Sequence, residues 1–383
     1  MMTITKTLML TCLMLLCACG APLYAEILIS SGVRCDLFVD DQDPESTGVE
    51  VTLPFGLAYK QERYSISLES AYLSATVEPG DEDRASVANL TDMLLSATYS
   101  YNFSNRPMGA VIGLDLNLPT GAATLSEQQK AAQAGESNDL FEVDNFGDGF
   151  NVGLSLALIH DIGNLSLALQ NAYVITGEYD PTSDTEDDTL NPGDQFLALA
   201  LAGWQASPRL TLDAFLAYSR FGADTTDGHK NFRAGDTVVG GGNIRYDRNP
   251  LNVALSLQGT VQAKNQELRD DALSTESQNS NANKMFVLTN VTYTAFSPLI
   301  LRAIGDIRYY AESELRNEIN GLPFAGQRIR YAIGPGFVYH ISNRLSCDGL
   351  LKVFAMTEDA ELSHEEAIGY QGLNFDIGFT YTF

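Results

Sequence analysis

The feature that most narrows what this chain can become is a two-residue repeat in its polarity, carried in short pieces from one end to the other. Its last nine residues, FDIGFTYTF, alternate Phe375, Ile377, Phe379, Tyr381 and Phe383 with Asp376, Gly378, Thr380 and Thr382. A period of two puts the five apolar side chains on one face of a strand and the small or polar ones on the other. The same alternation runs through residues 49–59, 108–118, 150–158, 165–175, 251–261 and 329–339. In each, the second face is small or polar, which suits a wet interior better than a packed core.

The connections sharpen the reading. Short turns recur at 60–63 (KQER), 103–107, 161–164, 205–209, 247–250, 296–298 and 341–344. Between them fall long polar loops, at about 76–89, 119–148, 177–193, 222–236, 263–284, 311–327 and 357–369. Strict alternation of short and long connections predicts an all-β chain, a transmembrane antiparallel up-and-down β-barrel with short periplasmic turns and long extracellular loops. Counting from residue 49 gives fifteen strands. Single-chain bacterial barrels have even numbers of strands with both ends on the periplasmic side, so a strand must precede residue 49. The segment ILISSGVRCDLFV (27–39) is the candidate, with Val33, Cys35, Leu37 and Val39 outward. The expected count is sixteen, with fourteen as the alternative.

Composition agrees with a membrane strand protein that is exported. The opening MMTITKTLMLTCLMLLCACGAPLYA holds one lysine, an apolar run and then small residues, the layout of a secretory signal peptide over 1–25, with cleavage after Ala25 and a barrel over 26–383. A rival reading is a lipoprotein signal that lipidates Cys19. Removing 1–25 leaves 22 basic against 49 acidic residues, a formal charge of −27, which argues against nucleic acid as a partner. Cys35 and Cys347 alone would remain, too few for a disulfide framework. The chain is 45% hydrophobic yet only 19% charged, and no stretch reaches eighteen continuous apolar residues, so no helix is expected to span a bilayer.

Aromatic residues mark the two interfaces. Tyr59, Tyr64, Tyr99, Tyr101, Tyr246, Tyr293, Tyr339, Tyr381 and Phe383 fall near the short-turn ends; Tyr72, Tyr173, Tyr218, Tyr309 and Tyr331 fall near the long-loop ends. Tyr favours the bilayer interface because its ring is apolar and its hydroxyl seeks water. A terminal aromatic, Phe383, is expected to serve the barrel assembly machinery as a recognition signal.

The segments LDLNLPTG (114–121) and NPGDQFLALALAGWQASPRLTLDAFLAYSRFG (191–222) resemble the outer-membrane, porin-like family of transporters of the meta-pathway of phenol degradation. The resemblance covers about residues 50–260 and rests on a Pro-Thr-Gly strand exit and an Asn-Pro-Gly-Asp strand entry, which are also good generic turn chemistry. It implies passage of small, often aromatic or hydrophobic compounds across the outer membrane, and it supplies no catalytic residues.

Inward-facing charges are the candidate pore lining. On the early strands they are Glu50, Glu69, Asp92 and Asp115; on the later ones Arg245, Arg302, Arg308, Arg328, Arg330 and Lys352, with Asp306 among them. Two arrangements are open: an acidic wall facing a basic one across the lumen, giving a transverse field, or neighbouring ion pairs that offset one another's desolvation. The longest loop, 119–148, has helical composition at SEQQKAAQAG. By analogy with general porins, whose loop at this ordinal position folds into the barrel, it is read as a pore constriction, with an ordinary outer loop as the alternative. In the constriction Asp139, Glu142, Asp144 and Asp148 would face Arg302, Arg308, Arg328 and Arg330.

The four histidines, His160, His229, His340 and His364, are scattered without metal-ligand or triad spacing, so no enzyme, no metal and no cofactor is expected. The expected role is an outer-membrane channel for small solutes in a Gram-negative bacterium. The alternative is a non-conducting structural or adhesive barrel acting through acidic loops such as 76–84, 177–188 and 357–366. Outer-membrane lipid and lipopolysaccharide are the expected surroundings, and a homo-oligomer is left open.

Overall fold

A computed structural model of the chain describes residues 26–41, 46–78, 84–104, 106–132, 140, 146–183, 189–317, 321–361 and 366–383. The leader 1–25, with its cleavage and lipidation readings, lies outside the described residues.

Sixteen wall strands close into one antiparallel barrel. The first eight are β1 Glu26–Asp40, β2 Thr47–Lys60, β3 Tyr64–Glu78, β4 in two pieces Ala85–Leu90 and Met93–Asn102, β5 Met108–Leu118, β6 Asn151–Ile162, β7 Leu165–Thr176 and β8 Gln195–Ser207. The rest are β9 Leu210–Phe221, β10 Thr237–Arg248, β11 Leu251–Gln262, β12 Lys284–Phe296, β13 Leu299–Tyr310, β14 Arg328–His340, β15 Leu345–Glu358 and β16 Ile368–Thr382. Each strand pairs with its sequence neighbours, and β1 closes the ring by pairing with β16 from Leu28 opposite Thr382 to Asp40 opposite Tyr370. The segment 27–39 is therefore the sixteenth strand that parity requires. Closure leaves no edge of unpaired N–H and C=O groups, which is what lets a sheet sit in hydrocarbon.

Arg34 donates to Asp376 across this closing seam, Nη2 to Oδ2 at 3.2 Å. The last strand also stands between the two cysteines: Cys35 lies opposite Phe375 and Cys347 opposite Phe379, and both thiols are free.

The alternation resolves into two unlike faces. Outward side chains such as Leu57, Ile112, Leu154, Leu216, Val261 and Ile333 are exposed. Inward ones include Asp36, Glu50, Thr52, Gln170, Arg330 and Asn374, all buried. A belt of exposed aliphatic side chains around a closed barrel has no reason to face water. Aromatics bound that belt: Tyr64, Tyr101, Tyr246, Tyr293, Tyr339 and Phe383 at the short-turn rim, Tyr72, Tyr173 and Tyr331 at the long-loop rim, all exposed. Trp204 and Phe296 extend the first girdle, Phe150 and Phe196 the second. With this closure, girdle and turn pattern, the molecule is an outer-membrane β-barrel.

Two features interrupt the regular wall. β4 breaks at Thr91 and Asp92, where its register against β3 slips by one residue, from Tyr72 opposite Leu90 to Glu69 opposite Leu94. The gap is sealed locally: the Ala71 N–H donates to Thr91 Oγ1 at 2.9 Å and the Ser70 hydroxyl to the Thr91 carbonyl at 3.1 Å.

Above the rim, segments read from sequence as plain loops form a second antiparallel sheet. Its strands are Leu190–Asn191, Asp224–Thr226, His229–Arg233, Gln266–Arg269 and Ala272–Thr275. Asp227 with Gly228, and Asp270 with Asp271, take positive φ at its two tight hairpins, the backbone that Gly and Asp adopt most readily.

Candidate functional site

The interior divides by height. At the short-turn end the inward Ser30, Asn102, Gln205, Arg245 and Asp247 are exposed to the lumen. Toward the long-loop end the inward side chains are shut away: Asp36 at 0%, Glu50, Leu73 and Leu199 at 1%, Arg330 at 1% relative exposure. Something fills the outer half of the barrel.

Part of the filling is the loop between β5 and β6. Leu125, Ala132, Leu140 and Phe146 from this loop form one buried cluster with the inward Phe38 of β1, Leu73, Ala75 and Val77 of β3, Ala85 and Val87 of β4, Ala332 of β14, and Phe354 and Met356 of β15. Its short helix, Glu127–Ala132, begins with a reciprocal cap: the Gln129 N–H donates to Ser126 Oγ and the Ser126 N–H to Gln129 Oε1. This is the S-x-x-Q capping box, and the helix it opens lies against β3 and β4.

The loop is pinned at both ends by one carboxylate. Asp92, exposed by the slip in β4, accepts from the Gly121 N–H at 2.9 Å, the Asp148 N–H at 2.8 Å and Asn117 Nδ2 at 2.6 Å. Its own N–H donates to the Phe146 carbonyl at 2.9 Å. Gly121 is required here, because a Cβ on it would collide with the backbone of Phe146 and Asp92. Asp92 thus holds the loop. Asp148 lies at the same foot, and with Asp92 and Asp224 it surrounds the Tyr179 phenol, whose pKa burial and these carboxylates push up to about 12. Asp139, Glu142 and Asp144 lie outside the described residues.

Below the loop, the late-strand charges meet one another. Arg330 donates from Nη1 to Asp306 Oδ1 at 3.3 Å and from Nη2 to Asn374 Oδ1 at 2.8 Å. Lys352 Nζ donates to Asp306 Oδ2 at 3.3 Å, and Asn374 Nδ2 donates to Asp36 Oδ1 at 2.7 Å. Arg308 Nε stands 3.6 Å from Asp306, and Arg328 Nε 3.5 Å from Glu358. A single belt of polar contacts therefore runs along the inner wall from β13 through β14, β15 and β16 to β1. Arg330 also stacks on Phe354 of the apolar cluster at 4.3 Å, and Arg328 on Tyr310 at 5.1 Å.

Of the two charge arrangements open from the sequence, these contacts are neighbouring ion pairs. Arg308 and Arg330 pair with Asp306, and Arg328 with Glu358. Glu50, on β2, has Asp36 as its cross-strand neighbour and so belongs to the arc that carries the bases. On the other arc, Asp115 accepts from Ser96 Oγ at 2.6 Å on β4, and Glu69 is partly buried on β3. Arg302 is partly buried on β13, below the belt, and Arg245 stands exposed at the short-turn end.

Asp36, Asn374, Glu358 and Phe354 were absent from the sequence-based lining. The signal was available, since each sits on the inward parity of its strand.

No family model matches the sequence, and no curated protein matches it. Among solved structures, an outer membrane channel of Pseudomonas putida F1 is 9% identical with a TM-score of 0.41, over 95% of this chain and 97% of that one. A Pseudomonas aeruginosa FadL homologue is 10% identical with a TM-score of 0.44, over 93% and 90%. The P. putida toluene transporter TodX is 10% identical with a TM-score of 0.41, over 95% and 91%. Likenesses of this size carry no argument about what this chain does; its architecture rests on its own strand ladders.

Proposed function

We propose that this protein is an outer-membrane channel for passive passage of small solutes, narrowed in its outer half and selective for compounds with an apolar or aromatic part. The observation that carries this reading is the inward-folded loop, whose Leu125, Ala132, Leu140 and Phe146 pack on Phe38, Phe354 and Met356 in the lumen. A wide pore for hydrophilic solutes gains nothing from an apolar constriction. An aromatic solute in a passage narrowed by this loop gains about 25 cal/mol for each Å2 of its apolar surface taken out of water. The belt from Asp306 to Asp36 is buried and internally paired, so it stiffens the wall against which the loop packs. The resemblance of residues 114–121 and 191–222 to the meta-pathway phenol degradation family makes aromatic acids the first solutes to try.

The test is uptake into proteoliposomes of a radiolabelled aromatic acid and of a sugar of similar size. The proposal expects the aromatic acid to enter faster. Equal rates for both would leave a simple sieve, and entry of neither, with no conductance steps, would favour the non-conducting structural or adhesive barrel.

A further inference from the structure

We propose that the outer rim of the wall at β7–β9 carries a phosphate-binding pocket that takes the phosphorylated headgroup of an outer-leaflet glycolipid. The strand register places Tyr173, Phe196 and Arg220 side by side in one outward row, since Phe196 lies opposite both Tyr173 on β7 and Arg220 on β9. The second sheet reaches over this row and contributes Lys230, Arg233 and Leu273 to a shared cavity of about 660 Å3. Three bases therefore converge on one outward recess in a chain whose acids outnumber its bases 49 to 23.

The polar groups in the recess are divided in a way that favours an anion. Its lining acid is turned to protein donors: Asp194 accepts from the Tyr173 hydroxyl at 2.8 Å and the Thr176 N–H at 3.1 Å; Asp224, next to the lining residues Ala223 and Thr225, accepts from the Gly193 N–H at 2.7 Å. Arg233 is fixed in place, donating from Nε to the Phe221 carbonyl at 2.9 Å and from Nη2 to Asp236 at 3.3 Å. Arg220 and Lys230 are exposed and form no ion pair among the described residues. Two uncommitted cations beside a fixed third suit the several oxygens and multiple charge of a phosphate.

Position decides the source. Tyr173 and Phe196 belong to the outer aromatic girdle, where headgroups meet acyl chains, and the recess is part apolar and part cationic, as an amphiphile requires. This inference needs only the membrane-embedded barrel, so it stands or falls separately from conduction.

The test uses the full chain in nanodiscs of neutral phospholipid, with a chelator present so that acidic loops cannot bind through divalent cations. Binding is titrated with a bisphosphorylated glycolipid, its chemically dephosphorylated form, and inorganic phosphate. Arg220→Gln with Lys230→Gln is compared with Arg209→Gln with Arg248→Gln, an exposed pair at the opposite rim. The proposal expects the bisphosphorylated lipid to bind more tightly than the dephosphorylated one, and the first double variant to weaken it about tenfold or more, the loss expected from one charge-assisted contact. The second pair should change nothing, and uptake should be unaltered in both. Equal binding of the two lipids, or full affinity in the first double variant, would overturn the site. Inorganic phosphate displacing the lipid at equal concentration would overturn the lipid as its source.

Discussion

The two halves of the lumen are built from the same sixteen strands and the same alternation, yet they have opposite contents. Near the short turns the inward positions are Ser30, Asn102, Gln205, Arg245 and Asp247, open to water and lightly paired. Near the long loops they are Phe38, Leu73, Phe354 and Met356 under a folded loop, with Arg330, Lys352 and Asp306 sealed beside them. A strand pattern therefore specifies that a residue faces inward; what meets it there depends on the loops. Charge follows the same division. A charge in the wet half is solvated and acts on passing ions, whereas one in the sealed half must be matched by a neighbour, because an unpaired buried ion costs several kcal/mol.

The division is open to attack from both sides. Arg330→Ala should have the largest effect on stability, about 3 kcal/mol, because Asn374 loses its donor, Asp306 keeps only Lys352 and Arg308, and Phe354 loses the guanidinium stacked on it. Urea unfolding followed by the gel shift of folded barrel against unfolded chain reads this directly. Asp92→Ala comes next. Losing the charge-assisted bonds to Gly121, Asp148 and Asn117 should loosen the loop by about 1.5–3 kcal/mol while the barrel stays folded. Limited proteolysis should then cut within 119–148 where the parent resists, and an unchanged digestion pattern would remove Asp92 as the anchor.

The smallest stability change is expected at the wet end. Arg245→Gln with Arg302→Gln should shift stability by no more than about 0.5 kcal/mol, while moving the reversal potential toward cation preference. If instead this pair unfolds the barrel and Arg330→Ala does not, the two halves have been assigned the wrong way round.

Much of this architecture was legible in the sequence, for a simple reason. Lipid on one side and a lumen on the other impose a period of two on every strand, and both the turns at 60–63 and 341–344 and the closing role of 27–39 follow from counting. The contents of the lumen were harder. Asp92 reads as one more inward carboxylate, and only the slip of β4 against β3 turns it toward Gly121 and Asp148. The belt joining Arg330 to Asn374 and Asp36 depends on the stagger of β13 to β1, which parity does not contain. The outer sheet escaped notice because its strands run to only two to five residues, too few for a period, although Asp227-Gly228 is a hairpin signal in its own right.

The central claim is that the loop following β5 sets the width of the pore. Single-channel recording in planar bilayers tests it, comparing the full chain with a variant in which residues 124–145 are replaced by two glycines. Gly121 and Phe146 already touch, so the shortened connection can be made without moving the wall. The account predicts small steps for the full chain and steps several-fold larger for the shortened one. Equal conductance in the two would contradict it, because the constriction would then lie elsewhere.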